Sequence, residues 1–160
     1  VIHNTFASQE RHQRFRTPLW DGLYKSLFVG GDYRIYNFNV QDRPVYFAIR
    51  GIWHNGYTDN FLFDNFRKAV TSQRDFWKDY KQDFFTIIIT PTISESTGLG
   101  SSINGSAYKN GFDLYGTNNM SNDKDTYLYL LYHELMHEWI GGRIANKPGD
   151  LNLWFSEGFT

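Results

Sequence analysis

No cysteine occurs anywhere in the 160 residues of this chain. Disulfides, thiolate metal ligands and a cysteine nucleophile are therefore excluded. Any metal held here must be bound by histidine and carboxylate, a ligand set found in catalytic sites more often than in structural ones. An excess of either charge is also lacking. Lys and Arg number 16 against 17 Asp and Glu, for a formal net charge of −1. That balance gives no electrostatic case for a nucleic-acid partner and no basic face for a membrane surface. No apolar run approaches the ~20 residues that a spanning helix requires, so no membrane segment is expected in this chain. The opening residues, VIHNTFASQERHQRFR, have no apolar signal core. Either the protein stays inside the cell or a leader is not part of this sequence, and the compartment stays open.

Hydrophobic residues make up 41% of the chain, enough for a folded domain, and aromatics make up 19%, which reads as a core rich in Phe and Tyr. With no internal repeat and no linker, residues 1–160 are expected to form a single domain. The segment QERHQRFR reads as solvated. YRIYNFNV (33–40) and VYFAIRGIW (45–53) predict two strands joined through QDRP, with Pro44 at a turn or edge because it cannot donate to a ladder. Over residues 62–80 the period changes. Leu62, Phe63, Phe66, Ala69, Val70, Phe76, Trp77 and Tyr80 predict one apolar helical stripe. FFTIIIT (84–90) reads as a strand buried on both faces and stopped by Pro91.

Residues 92–106 read as a Gly/Ser-rich loop without the Gly-Lys-Ser/Thr ending of a P-loop. SAYK-NG-FDLY (106–115) predicts a hairpin turning at Asn110-Gly111. Asn104-Gly105-Ser106 and Asn119-Met120-Ser121 fit the glycosylation sequon, a pattern common by chance. Ser121, Asn122 or Asp123 would cap a helix that runs to Gly141-Gly142. After Pro148-Gly149 a short helix is expected to begin near Asp150. The chain stops inside it, so the sequence is expected to be a fragment that continues beyond 160.

The chemistry lies in LYHELMHEWIGG, Leu131 to Gly142. His133 and His137 are two of only five histidines, four residues apart with Glu134 directly after the first. Residues i and i+4 share one helix face about 6 Å apart along the axis, so both imidazoles can serve one ion. Glu134 is rotated by ~100° from His133 and borders the ion's open side, where it can accept a proton from a bound water. At this chain's own His and Glu frequencies the pattern would arise in roughly one random chain in two hundred. Two structural histidines on a buried helix face are the competing reading. Leu128, Leu131, Leu135 and Trp139, set around the motif on a capped helix, weigh against it.

Zinc then needs a third protein ligand, leaving one position for water. His3, His12 and His54 lie far upstream and read as ordinary surface or loop residues. Ile140 and Arg143 stand where a metzincin would have Gly and a third His. Downstream the only acids are Asp150, better read as a helix N-cap, and Glu157, placed to face back across the connecting loop. Glu138 points off the ligand face.

HELMHEWIGG followed by LWFSEGFT resembles the zinc site of gluzincin aminopeptidases, which carry His-Glu-x-x-His and then, about eighteen residues on, a Glu in a Glu-Gly context. Nineteen residues separate His137 from Glu157 here. That spacing and the Trp-Phe-Ser-Glu-Gly-Phe-Thr wording are more similar to the glycyl aminopeptidase family than to the aminopeptidase N family. The motifs cover residues 131–160; upstream only the order of elements is similar. The resemblance implies an α+β fold, a thermolysin-like zincin catalytic domain with a β-rich N-terminal lobe and an active-site helix. It implies Zn2+ on His133, His137 and Glu157, Glu134 as general base, and a peptide or protein substrate. Such aminopeptidases also keep an acid in a Gly-rich motif to hold the substrate's amine. The matching GLGSSINGSAY has none, and Glu95 and Asp113 lie nearby outside that wording. The tyrosine that steadies the oxyanion would fall after Thr160, so little turnover is expected of this piece alone. An endopeptidase of the same fold, and a non-catalytic module binding peptide or sugar, stand as the other readings.

Overall fold

The computed structural model of the chain describes residues 2–4, 20–92, 103–118, 124–144 and 153–160. Strand β1 (Ile2–Asn4) pairs antiparallel with β2 (Phe28–Gly30), and the short helix α1 (Trp20–Tyr24) precedes β2. The main sheet has five strands, β3 (Arg34–Val40), β4 (Arg43–Ile49), β5 (Phe85–Thr92), β6 (Ile103–Tyr108) and β7 (Gly111–Thr117), in the order β3-β4-β5-β7-β6. Helix α2 (Asp59–Trp77) connects β4 to the parallel β5. Helices α3 (Lys124–Met136) and α4 (Leu153–Gly158) follow the sheet. The fold is α+β. Among the described residues no helix is long and apolar enough to cross a membrane.

Local chemistry explains the elements and their departures from expectation. Gln41 and Asp42 both have positive φ (46° and 62°), as a tight type I′ connection requires, so Arg43 and Pro44 already belong to β4 rather than to the turn. Pro44 pairs only with β3, because β5 begins its pairing at Val45; its missing N–H is therefore not needed. β4 ends at Ile49, short of the expected Trp53, and Gly51 (φ 70°) turns the chain where a Cβ would lie 2.5 Å from Pro91. α2 starts at Asp59, capped by the Thr58 hydroxyl, which accepts from Phe61 N at 3.2 Å, and it stops where Lys78 turns left-handed. Of the predicted stripe, Leu62, Phe66, Ala69 and Val70 are buried, but Phe76 is exposed and Tyr80 lies past the helix.

β5 is central and buried on both faces, Ile87 and Ile89 against the helices and Thr86 and Ile88 on the opposite side. It continues through Pro91 to Thr92, paired there with β7 alone. Part of the expected 92–106 loop, from Ile103 onward, is the edge strand β6. The β6–β7 hairpin turns at Lys109-Asn110, one residue earlier than expected, with Asn110 supplying the positive φ of 60° and Gly111 already in β7. α2 and α3 pack on one sheet face through Phe47, Phe66, Phe112, Leu114, Leu131 and Leu135, with Phe47 and Phe66 stacked at 4.3 Å. Each such buried side chain contributes about 1.5–3 kcal/mol. The expectations for residues 9–16, Glu95, Asn119-Met120-Ser121, the α3 caps at 121–123, Pro148-Gly149 and Asp150 lie outside the described residues.

Candidate metal centre

α3 buries Tyr127, Leu131, Glu134 and Leu135, the spacing of a helix seated on a sheet. His133 and His137 stand at the border of that stripe. The helix was expected to reach Gly141-Gly142, but it ends at Met136. Beyond it the bonding tightens, with Glu138 N to Leu135 O at 3.2 Å and Trp139 N to Met136 O at 2.9 Å. Gly141 (φ 88°) then reverses the chain, and a Cβ on Gly142 would lie 2.6 Å from the His137 carbonyl oxygen. His137 therefore sits in a tightened turn, yet its ring still meets that of His133.

The two Nε2 atoms are 3.2 Å apart. α4 brings Glu157 to them: its Oε2 lies 3.2 Å from His133 Nε2 and 3.5 Å from His137 Nε2. Three donors held 2.0–2.1 Å from a tetrahedral zinc lie about 3.3 Å from one another. The donor set and its spacing fit that ion. The other ring nitrogens have partners that leave both Nε2 lone pairs free. His137 Nδ1 is 3.4 Å from the Ile140 carbonyl, which can only accept, so the contact favours the tautomer with its proton on Nδ1. His133 Nδ1 is 2.9 Å from Thr160 Oγ1, which in turn donates toward the Glu157 carbonyl at 3.4 Å. Burial, with His137 adding, holds the His133 imidazole below the ordinary histidine value against the pull of Glu157, so it is neutral at pH 7, as ligation requires.

Glu134 is 8% exposed and is not among the three clustered donors. Burial pushes its carboxyl above the usual carboxylate range; His137 opposes this, and the charges of Glu157 and Asp113 add to it. Its neighbour is the backbone of β6. A Cβ on Gly105 would stand 2.6 Å from Glu134 Cγ and 2.8 Å from Cδ, so any larger residue there must push the Glu134 side chain aside. Gly105 pairs with Leu114, whereas Asp113 pairs with Ser106 and so points to the opposite face of the sheet. Glu138 is bonded to Arg143 Nη2 at 3.1 Å. His54 is exposed, in the turn before α2. A cleft of about 1060 Å3 opens over the cluster, lined by Gly105, Tyr108, His133, Glu134, His137 and Glu157 among others.

Sequence reasoning did not find Gly105, Thr160 or the Ile140 carbonyl. A Gly among Asn and Ser on an edge strand has no local mark that sets it against a glutamate 29 positions away.

No protein-family model matches the chain, and no curated protein matches it either. Among solved structures it is similar to an aminopeptidase N family protein from Idiomarina loihiensis, with a TM-score of 0.73 and 18% identity over 98% of this chain. The chain spans 29% of that protein's length. At that identity the likeness is one of fold: the five-stranded sheet with its packed helices is an aminopeptidase N-like arrangement.

Proposed function

We propose that the chain carries the zinc-binding part of a gluzincin-type peptidase, acting on peptide or protein substrates with Glu134 as the general base. The observation that carries this reading is the 3.2–3.5 Å spacing of His133 Nε2, His137 Nε2 and Glu157 Oε2, beside a buried glutamate in an open cleft. His133, His137 and Glu157 would hold the ion, which when bound supplies Lewis-acid polarisation of the scissile carbonyl and a more acidic water. The remaining work falls to the chain. The raised proton affinity of Glu134 suits it to take a proton from the attacking water and return it to the leaving amine. β6 is the edge strand of the sheet and lines the cleft, offering an extended peptide a strand to pair with. The neighbour's membership of the aminopeptidase N family supports a peptidase in general. The thermolysin-like description and the closer resemblance to glycyl aminopeptidases rest on the wording and spacing of the motif.

An endopeptidase of the same fold is the second reading. It is favoured by β6, whose Gly105, Ala107 and Tyr108 line the cleft and whose residues, INGSAY, hold no acid for a substrate amine. N-blocked and free-amine peptides, compared on the full protein, separate the two. A binding module has no use for a base beside the metal. Glu134→Gln is therefore the test of mechanism: hydrolysis by the full protein is expected to fall about 10²–10⁴-fold with zinc retained. Unchanged hydrolysis would remove Glu134 from the reaction.

A further inference from the structure

Behind the turn that carries His137 lies a group of charges with no part in the mechanism above. Asp79 follows the left-handed cap of α2, and its N–H bonds the Arg74 carbonyl at 3.1 Å. Its Oδ2 accepts from Arg143 Nη1 and from the Trp139 indole N–H at 3.1 Å; its Oδ1 accepts from Lys81 N at 3.2 Å. The other terminal nitrogen of Arg143 donates to Glu138 Oε1 at 3.1 Å. The Asp79 and Glu138 side chains are 14% and 16% exposed. Arg143 itself is 38% exposed, so the desolvation lies on the two carboxylates rather than on the guanidinium. Buried Arg74 adds a second positive charge that acts on both carboxylates. Alongside, Trp77 stacks on Trp139 at 6.1 Å and donates its indole N–H to Met136 Sδ at 3.3 Å.

These contacts bind one short segment, residues 136–143, to the end of α2. That segment has two duties at the candidate metal centre. The Ile140 carbonyl orients the His137 ring through Nδ1, and Gly141 abuts Ser156, the residue before Glu157. His137 is not in the regular part of α3, so helical hydrogen bonding alone does not set its angle. Arg143 spans from Asp79, 64 residues away in sequence, to Glu138, the immediate neighbour of His137. Although Arg143 borders the cleft and is 38% exposed, its two terminal nitrogens are both engaged by carboxylates of this chain, which leaves it poorly placed to bind substrate.

We propose that Arg143, locked between Asp79 and Glu138, is a positioning residue for the metal centre, clamping the turn onto α2 so that His137 meets the ion at a fixed angle. The inference rests on the zinc reading above. Groups that orient metal ligands typically cost 10–100-fold in metal affinity when removed. The experiment uses the full protein and two readouts other than turnover: zinc affinity by competition with a chelator, and the visible absorption of the Co2+-substituted protein. Arg143→Ala is expected to weaken zinc about 10–100-fold and to shift the Co2+ bands. Arg143→Lys is expected to recover part of the loss, because an ammonium cannot fork between two carboxylates. Arg34→Ala, which breaks an ion pair with Asp59 away from the site, is expected to lower thermal stability and leave zinc affinity unchanged.

Arg143→Ala with wild-type zinc affinity and unaltered Co2+ bands overturns the inference. If that variant does not fold, Asp79→Asn serves in its place, since it keeps an acceptor for Trp139 and weakens the arginine contact; wild-type affinity there overturns the inference equally. Wild-type protein that binds no zinc overturns the zinc reading and this inference with it. Wild-type protein that binds zinc beside an unimpaired Arg143→Ala overturns this inference alone.

Discussion

Gly105→Ala is the smallest change that should silence the proposed base without touching the proposed ligands. The added methyl would stand 2.6 Å from Glu134 Cγ, 2.8 Å from Cδ and 3.0 Å from Oε1, and its three nearest contacts are all with that one side chain. Carbon atoms pack comfortably at about 3.5–4.0 Å, so Glu134 must retreat by about 1 Å. At 8% exposure it has little free space to retreat into. The backbone at 105 does not lie in the left-handed region, so alanine itself is not strained there. A displacement of about 1 Å at a catalytic group costs on the order of 10²-fold in rate, or about 2.7 kcal/mol at 1.36 kcal/mol per tenfold. The assay is steady-state hydrolysis of a peptide series by the full protein, with zinc content measured on the same samples. The expected result is a kcat lower by about 100-fold with zinc retained, and no further loss when Gly105→Ala is added to Glu134→Gln. A wild-type kcat, or a loss of rate that tracks a loss of zinc, refutes the reasoning.

Gly142→Ala should do the reverse. Its Cβ would meet the His137 and Glu138 carbonyl oxygens at 2.6 and 2.7 Å, so the turn carrying His137 must open, and zinc content of the purified protein is expected to fall. Zinc retention should also fall on acidification, because protonated imidazoles do not ligate. A metal-retention titration measures that loss. Asp59 receives the Arg34 fork at 2.6 and 2.8 Å and the Tyr36 hydroxyl at 2.7 Å. Arg34 holds the Asp59 carboxyl below its ordinary value of 3.8, against a smaller opposing effect of burial. The stabilisation is therefore full above the unfolded value and is lost as the pH falls through the lower folded one. Asp59→Asn is expected to cost about 1 kcal/mol at neutral pH, because a partly exposed pair is screened, and to flatten the acid limb of the stability profile. Urea unfolding from neutral pH down to pH 3 checks both.

Periodicity carried the elements whose side chains face one core. The α2 stripe and the unbroken FFTIIIT run were legible because burial on one face or two writes itself into local spacing. β6 was not legible. Its Asn-Gly-Ser composition has little strand propensity, and it is a strand because β7 pairs with it. The hairpin register slipped by one because Asn110 alone takes the left-handed conformation, leaving Gly111 free to pair. At the candidate site, the i, i+4 spacing of His133 and His137 needs only a helical turn, so it was readable although α3 ends at Met136. Glu157 came forward as the only downstream acid besides Asp150. The groups that orient these residues, Thr160, the Ile140 carbonyl and the Asp79–Arg143 pair, are set by packing between distant segments and leave no mark in local spacing.

The metal content of the full protein, purified without chelator beside His133→Ala and Glu157→Ala, tests the central claim most directly. About one zinc per chain in the wild type, lost in both variants, is the result expected of a three-ligand catalytic site. A wild type without zinc, or variants that keep it, would contradict a centre built from these residues.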